Sequence, residues 1–181
     1  KVIIAGDFTS VGGVARNRIA RLNVNGTLDN SFDPGLGVND SVRTLAIQTD
    51  GRVLLGGLFT NVNVTMLNRI ARLNANGSVD TSFTPGLGAN DSVFSIALQG
   101  DGKMVLGGQF TRASGVTRNR VTRFNSDGTG DPAINFGTGA DSFVADVKIQ
   151  ADGKLIIGGG FTEVDGQPRQ RLARLHGGSI A

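Results

Sequence analysis

The sequence predicts an all-β fold built from repeated four-stranded units, and three observations lead to this prediction. A phrase ending in Phe-Thr recurs at equal intervals of 51 residues, at Phe8, Phe59, Phe110 and Phe161. Each interval contains four short runs rich in apolar and β-branched residues, separated by turns that contain glycine. No stretch keeps an apolar period of 3.6 residues, which argues against helices. We therefore expect about 3.5 copies of one β unit along the chain.

The second copy shows the four runs in order, and we name them a to d. Run a is "SVRTLAIQ" (41–48), and an Asp-Gly turn joins it to run b, "RVLLGGLFT" (52–60). In a tight hairpin of this kind, both central residues are expected to adopt positive φ. A loop then leads to run c, "RIARLN" (69–74), and an Asn-Gly turn leads to run d, "SVDTSF" (78–83).

Four short antiparallel strands per unit, at this repeat length, are typical of the blades of a β-propeller. A β-solenoid is the alternative, but its repeats are usually shorter. A blade is apolar on both faces and must stack on its neighbours. The predicted blades span residues 1–36 (b-c-d), 37–87 (a-b-c-d), 88–138 (a-b-c-d) and 139–181 (a-b-c). Glycines recurring in run b would let the next blade approach closely.

The count of runs is fourteen, and the first and last blades are incomplete. Unpaired strand edges invite aggregation, so we expect them to be covered. We expect the chain to be an excerpt of a longer protein. Other segments of that longer chain, or neighbouring subunits, would then complete the propeller.

Two phrases resemble the delta-60 repeat, a β-propeller repeat of bacterial proteins. They are "DGKLIIGGGFTEVDGQPRQRLARL" (152–175) and "NANGSVDTSF" (74–83). The resemblance extends over the whole chain, and the third copy departs most, with "GDPAINFGTG" (130–139). It implies a part of a large secreted or surface-attached bacterial protein, and hence an extracellular or cell-surface location. It implies no established catalytic residues.

The composition excludes several kinds of chemistry. The chain has no Cys, which rules out disulfides and thiolate ligands. It has no apolar run long enough to span a bilayer as a helix, so we expect no membrane insertion. The net charge of +3 comes largely from arginines in a repeating register, and Tyr and Trp are absent. Without aromatic stacking platforms, we expect no nucleic-acid partner.

The acidic residues recur once per blade, which spreads them around a ring. We group Asp29 with Asp80 and Asp131; Asp40 with Asp91 and Asp141; and Asp50 with Asp101 and Asp152. Turn and strand-end hydrogen bonding is the expected role, because a glycosidase needs two carboxylates that converge. An enzyme, either a lyase or a glycosidase with an axial pocket, is the alternative. Its one distinctive acid is Asp146, which stands where other copies carry Thr44 and Ser95.

We expect no cofactor, with calcium as a weaker alternative at one turn. "NSDGTGD" places Asn125, Asp127 and Asp131 at spacings that faintly resemble a calcium loop. Arginines also recur in pairs three residues apart, beginning with Arg18 and Arg21. For these pairs we expect interblade salt bridges or capping of backbone carbonyls rather than ligand binding.

Differences between copies point to a binding surface, because residues that hold the blade should repeat. The b–c and d–a connections share one face of a propeller, and loops on a rigid scaffold commonly bind partners. The candidate binding residues are Asp7, Ser10, Arg16, Leu58, Asn61, Gln109, Arg112, Arg118, Glu163 and Arg169. We expect a non-catalytic structural or binding module that recognises protein or glycan through this face. An architectural subunit of a surface appendage or filament is a further alternative.

Overall fold

The structure is a computed structural model that describes residues 1–176. These residues form nineteen short strands, numbered here in chain order, and no helix. Accordingly, the described part of the chain contains no helix suited to crossing a membrane.

Run a forms β5 (Val42–Ile47), β10 (Val93–Leu98) and β15 (Val144–Ile149). Run b forms β1 (Val2–Ala5), β6 (Val53–Gly57), β11 (Met104–Gly108) and β16 (Leu155–Gly159). Run c forms β4 (Ile19–Leu22), β9 (Ile70–Leu73), β14 (Val121–Phe124) and β19 (Leu172–Leu175). These strands build the antiparallel sheets β1-β4, β5-β6-β9, β10-β11-β14 and β15-β16-β19.

Each b–c connection, expected only as a loop, contains a two-stranded hairpin. The hairpin strands are β2 (Ser10–Val11) and β3 (Val14–Ala15), β7 (Asn61–Val62) and β8 (Thr65–Met66), β12 (Arg112–Ala113) and β13 (Val116–Thr117), and β17 (Glu163–Val164) and β18 (Gln167–Pro168). The four hairpins have the same length and the same position in their copies, so they belong to the repeating scaffold.

Run d does not form the predicted fourth strand. It adds one bridge to its sheet, for example Leu73 with Val79. The amide of Asp80 then bonds to the carbonyl of Arg72, and the Asp80 carbonyl accepts the amide of Phe83. This turn takes the chain out of the ladder and buries the Phe83 ring in the core. The prediction of four-stranded sheets is therefore wrong, because run d ends its pairing to bury an aromatic ring.

The a–b turn also differs from the prediction. The amide of Gln48 bonds to the carbonyl of Arg52 at 2.8 Å, and the amide of Gly51 bonds to the carbonyl of Gln48 at 2.9 Å. Of the Asp50–Gly51 pair, only the glycine has a positive φ, at 83°. The expectation that both residues adopt positive φ is wrong. The loop has three residues and needs a left-handed backbone only at its end.

The sheets stack face to face, and an apolar core fills each space between them. Residues of β6 alternate, so that Val53 and Leu55 join the core shared with the first sheet, while Leu54 joins the core shared with the third. The run-a strands β5, β10 and β15 contact one another in sequence, which makes them the inner strands. This arrangement confirms the predicted stacking of blades.

Gly57 in run b permits the close approach of the inner strand of its own blade, so the expectation that this glycine admits the next blade is wrong. A Cβ on Gly57 would overlap the carbonyl oxygen of Ser41 and lie 3.0 Å from the Cα of Val42. Because both are backbone atoms, neither can move aside without disturbing β5.

Each of the first three blades carries an ion cluster between an arginine of run c and an aspartate of run d, which we call the Arg–Asp clasp. It consists of Arg21 with Asp29, Arg72 with Asp80, and Arg123 with Asp131. In the second blade, Nε of Arg72 donates to Oδ2 of Asp80 at 2.7 Å, and both side chains are almost fully buried. The arginine Cζ also lies 4.8 Å from the centre of the Phe83 ring.

The same arginine connects its blade to the next one. Nη1 of Arg21 donates to the carbonyl of Ala75 at 2.7 Å, and Nη1 of Arg72 donates to the carbonyl of Ser126 at 2.6 Å. The expectation that these arginines cap carbonyls between blades is confirmed. The salt bridge to aspartate, by contrast, lies within one blade.

The first arginine of each pair has a left-handed backbone, which is uncommon for residues other than glycine and asparagine. The φ angles are 65° at Arg18, Arg69 and Arg120, and 63° at Arg171. Nη1 of Arg18 donates to the carbonyl of Val38 at 3.0 Å, whereas Nη1 of Arg69 bonds to the carbonyls of Leu58 and Phe59 in its own blade. The repeated conformation follows the b–c hairpin, and in the first two blades the guanidinium donates to backbone carbonyls.

The first prediction concerns the glycine contact. Gly57→Ala should lower the free energy of unfolding by about 3 kcal/mol, the upper end of overpacking penalties, because its Cβ meets backbone. Gly100→Ala is the matched control. A Cβ there has no neighbour within 4 Å, and the change should be neutral or stabilising by up to ~1 kcal/mol. Urea unfolding measures both; equal values for the two variants would contradict the packing argument.

The second prediction concerns the clasp in the second blade. Burial raises the pKa of Asp80, but hydrogen bonds from Ser82 and Arg72 outweigh it, so the pKa lies below its usual value. A depressed pKa contributes stability that is complete above the unfolded-state pKa of about 3.9 and is lost as pH falls through the folded-state pKa. Asp80→Ala should cost about 3–5 kcal/mol at pH 7, because it leaves a buried guanidinium without its partner.

The pH dependence supplies the second readout. Urea unfolding from pH 7 to pH 2.5 should show less acid-induced loss of stability in Asp80→Ala than in the unaltered chain. Asp101→Asn is the control, since Asp101 is exposed and accepts one amide at a turn. It should change the free energy of unfolding by less than ~0.5 kcal/mol. A similar cost for both variants would contradict the role assigned to the clasp.

Candidate functional site

The hairpins and the d–a connections lie together on one face, which we call the loop face. Isolated bridges join them in three blades: Val38 with Val62, Ala89 with Ala113, and Ala140 with Val164. In the same three blades a side-chain oxygen also fixes the hairpin. In the second blade, Oδ1 of Asn39 accepts the amides of Thr60 and Asn61, both at 2.9 Å. The loop face is therefore tied to the scaffold by bonds that repeat.

Asp141 makes these bonds in the fourth blade. Its Oδ1 accepts the amides of Thr162 at 2.8 Å and Glu163 at 3.0 Å. Donation from Glu163 and Thr162 outweighs burial and lowers the pKa of Asp141 to about 2. The predicted alignment of Asp141 with Asp40 and Asp91 is wrong by one residue. Asp141 occupies the place of Asn39 and Asn90 and shares their structural role.

The ten candidate binding residues fall into two separate places. Ser10, Asn61, Arg112 and Glu163 begin the hairpins at equivalent positions, so the charge there changes from one blade to the next. Arg16, Arg118 and Arg169 follow the hairpins, and the Nη1 of each donates to the carbonyl of the residue before it. Asp7, Leu58 and Gln109 lie elsewhere, at the end of run b beside the inner strands.

The hairpin of the second blade is the most apolar part of the loop face. Together with the two flanking d–a connections it carries four exposed aliphatic side chains, which we call the loop-face patch: Leu36 (66% exposed), Val64 (79%), Met66 (74%) and Leu87 (73%). The amide of Leu36 bonds to the side chain of Asn63, which holds this connection against the hairpin turn. The side chain of Asn68 bonds to the carbonyl of Leu87 on the other flank. Of the ten candidate binding residues, only Asn61 lies in this hairpin.

Two hollows repeat on the loop face beside the patch. One of about 260 Å³ is lined by Leu87, Gly88, Asn90, Arg112 and Gly115. The other, of about 250 Å³, lies at the equivalent place one blade later and includes Asp141, Glu163 and Gly166. Arg112 of the first hollow is therefore replaced by Glu163 in the second, where Arg120 also lines the wall.

The residue before each Phe-Thr pair differs between copies and lies beside the inner strands. The four residues at this position are Asp7, Leu58, Gln109 and Gly160, and contacts with neighbouring side chains explain the choice of two of them. The hydroxyl of Ser41 donates to the carboxylate of Asp7, and Arg43 lies 4.0 Å from the same carboxylate. In the fourth blade, a Cβ on Gly160 would overlap the ring of Phe143. Gly160 therefore makes room for a phenylalanine where other copies carry the smaller Ser41 and Ser92.

Sequence comparison missed a further variable position beside it. Arg43, Phe94 and Ala145 sit at a β-bulge in each inner strand, where the register with run b shifts. Bulges re-aim side chains and are frequent next to functional sites. The rings of Phe94 and Phe143 meet edge to face with their centres 6.3 Å apart. The replacement of Arg43 by Phe94 and Ala145 in successive copies was the signal that could have revealed this position.

Asp146, the distinctive acid, takes part in a ladder between inner strands. The amide of Val147 donates to the hydroxyl of Ser95 at 3.1 Å, and that hydroxyl donates to Asp146 at 2.7 Å. Lys148 also bonds to the Asp146 carboxylate at 2.8 Å. Burial raises the pKa of Asp146, but the hydrogen bonds from Lys148 and Ser95 outweigh it, so the pKa lies below its usual value. This carboxylate is ionised at neutral pH and suits a structural acceptor better than a general acid.

The two carboxylates among the calcium candidates already have internal partners, and the side-chain amide of Asn125 donates to the hydroxyl of Thr129 at 3.0 Å. Oδ1 of Asp127 accepts the amide and hydroxyl of Thr129. The Asp131 carboxylate is paired with Arg123 and with Lys103 at 2.8 Å. A calcium ion here would have to displace two cations. Within residues 1–176, no group of three or more His, Asp or Glu side chains is placed to hold a metal.

The comparisons with known proteins agree with this architecture. The profile of the family described as domain of unknown function (DUF5122) beta-propeller matches residues 1–32, 48–83, 99–133 and 150–177. The matched segments start near the a–b turns and cover runs b, c and d, which leaves most of each inner strand between them. No curated protein matches the chain. Because the matched segments make up well over half of the sequence, the chain belongs to the DUF5122 beta-propeller family.

Proposed function

We propose that this β-propeller segment is a non-catalytic binding module that recognises a protein partner through its loop face. The observation that carries the proposal is the contrast between fixed and variable parts of this face. The same bonds hold the hairpins of the second, third and fourth blades, yet the exposed side chains differ from blade to blade. A rigid frame with differing exposed side chains is the usual construction of a recognition surface.

The chemistry of the loop-face patch favours protein over glycan as the partner. Exposed apolar patches rimmed by polar residues mark protein interaction sites. Leu36, Val64, Met66 and Leu87 form such a patch, and Arg112 on the next hairpin adds charge beside it. The patch is aliphatic, and the chain has no Tyr or Trp whose amphipathic rings could stack on a sugar.

The setting proposed for this module follows from the resemblance to bacterial repeats. We propose that the repeat is of the delta-60 type and that the module belongs to a secreted or cell-surface bacterial protein, where it mediates adhesion or assembly. No observation favours the enzyme alternative specifically, since its distinctive acid, Asp146, is bound to Ser95 and Lys148. The architectural alternative is compatible with the same face, because a subunit of an appendage also needs contact surfaces.

The third prediction tests the loop face. A photo-crosslinking amino acid at Met66 should capture the partner in the source cells, whereas the same amino acid at Ile47 should not. Ile47 is the matched control because it is also exposed and aliphatic, and it lies at the a–b turns on the opposite face. Equal capture at both positions would contradict a specific loop face.

Affinity then measures the contribution of the patch. The combined variant Val64→Ser, Met66→Ser and Leu87→Ser should weaken binding of the captured partner at least tenfold, about 1.4 kcal/mol, while Ile47→Ser should not change it. Thermal unfolding should be nearly unchanged in both variants, since exposed positions contribute little to stability. Binding on a glycan array that the combined variant abolishes would replace the protein partner with a glycan. Turnover of the captured molecule would support the enzyme.

A further inference from the structure

The outward face of the fourth blade is apolar and lacks the cover that equivalent faces have. It carries Ile156 of β16 and Leu172 of β19, on the side away from the third blade. Leu172 is 65% exposed, whereas its equivalents Ile19 and Ile70 are fully buried. In the second blade, Ile70 belongs to the core that the third blade closes. The repeat therefore uses this position as a stacking contact.

A glycine on this face forms a socket that other blades fill. A Cβ on Gly56 would lie 2.7 Å from Cγ1 of Val93, on the inner strand of the next blade, and 2.7 Å from Cγ2 of Thr44 in its own blade. At Gly107 the corresponding atoms are Cγ1 of Val144 at 2.8 Å and Cγ2 of Val147 at 2.7 Å. Gly158 is the same socket in the fourth blade, and the nearest atom to its Cβ position is the Arg171 carbonyl oxygen at 3.7 Å.

A polar contact at the inner strand continues the same pattern. The hydroxyl of Thr44 accepts the amide of Ile96 at 3.3 Å, and the hydroxyl of Ser95 accepts the amide of Val147 at 3.1 Å. Each blade thus offers a side-chain oxygen to the inner strand of the following blade. In the fourth blade this position is Asp146, whose carboxylate is about half exposed.

We propose that this face is a docking surface for a further complete copy of the same 51-residue repeat, joined in register. The inner strand of that copy places a branched aliphatic side chain over Gly158, covers Leu172 and donates an amide to Asp146. The inference does not depend on the loop-face proposal, because it uses a different surface.

The requirement for an inner strand distinguishes a further repeat from a second copy of the chain as the partner that covers this face. The filled sockets at Gly56 and Gly107 both receive side chains from inner strands of the same chain. A second copy of residues 1–176 would present its first sheet, β1-β4, which has no inner strand. Val2 and Ile4 of such a copy would cover Leu172 but leave the Gly158 socket empty. A complete repeat fills both.

The fourth prediction uses thiol protection, which is simple in a chain without cysteine. The full chain carrying Leu172→Cys is compared with the same chain into which a second copy of residues 126–176 is inserted after His176. The inserted copy should slow labelling by a thiol reagent at residue 172 at least tenfold. Val116→Cys is the control, because Val116 is exposed on the loop face and should label equally in both chains. Equal labelling at residue 172 would overturn the proposal.

A second variant provides an independent readout. Gly158→Val should leave the urea midpoint of the original chain unchanged, because its socket is open. In the extended chain the same substitution should restore rapid labelling of Leu172→Cys and lower the urea midpoint, as Gly56→Val should in either chain. If Gly158→Val has no effect in the extended chain, the proposal that a side chain of the next inner strand packs over Gly158 is contradicted. A different result in the original chain would be protection of residue 172 that rises with protein concentration while sedimentation shows dimers. That result would overturn the proposal and identify a second copy of the chain as the partner.

Discussion

The structure depends on an arginine that is bound in two directions at once. In each clasp an aspartate of the same blade holds the guanidinium from one side, and in the first two blades it donates on the other side to a carbonyl of the next blade. A blade is apolar on both faces and buries them against its neighbours, so stacking contributes much of the stability. The clasp ties the first blade to the second and the second to the third, and loss of either partner leaves a buried charge unpaired.

Much of the fold could be predicted because its signals are local and repeated. The interval between Phe8 and Phe59 fixes the unit, and apolar runs fix three of its strands. The fourth strand could not be predicted, since run d reads as a strand until burial of Phe83 is known. The Asp50–Gly51 turn was located correctly, but its backbone depends on a third residue. The sequence pattern indicates which residues alternate between the two faces of a strand. It does not indicate where the backbone pairing between two strands ends.

The candidate site was less predictable for a physical reason. Variation between copies does not separate a residue that meets a partner from one that adjusts to its neighbour. Gly160 varies because Phe143 occupies its space, and Asp7 contacts Ser41 in the next blade. Val64 and Met66 lie in a connection predicted only as a loop, and the exposure of their aliphatic side chains is seen only in the structure. Only the contacts seen in the structure distinguish a residue that adjusts to its neighbour from one that is free to meet a partner.

The direction of the contacts between blades has a consequence for how such a chain changes over generations. The clasp bonds between blades run the same way, with the guanidinium in one blade and the carbonyl in the following one. If 51 residues are gained or lost at any point in the repeat, the arginine of one blade still faces an equivalent backbone carbonyl in the blade that follows. Recombination can therefore lengthen or shorten the array in one step without a new interface, while the hairpins diversify independently.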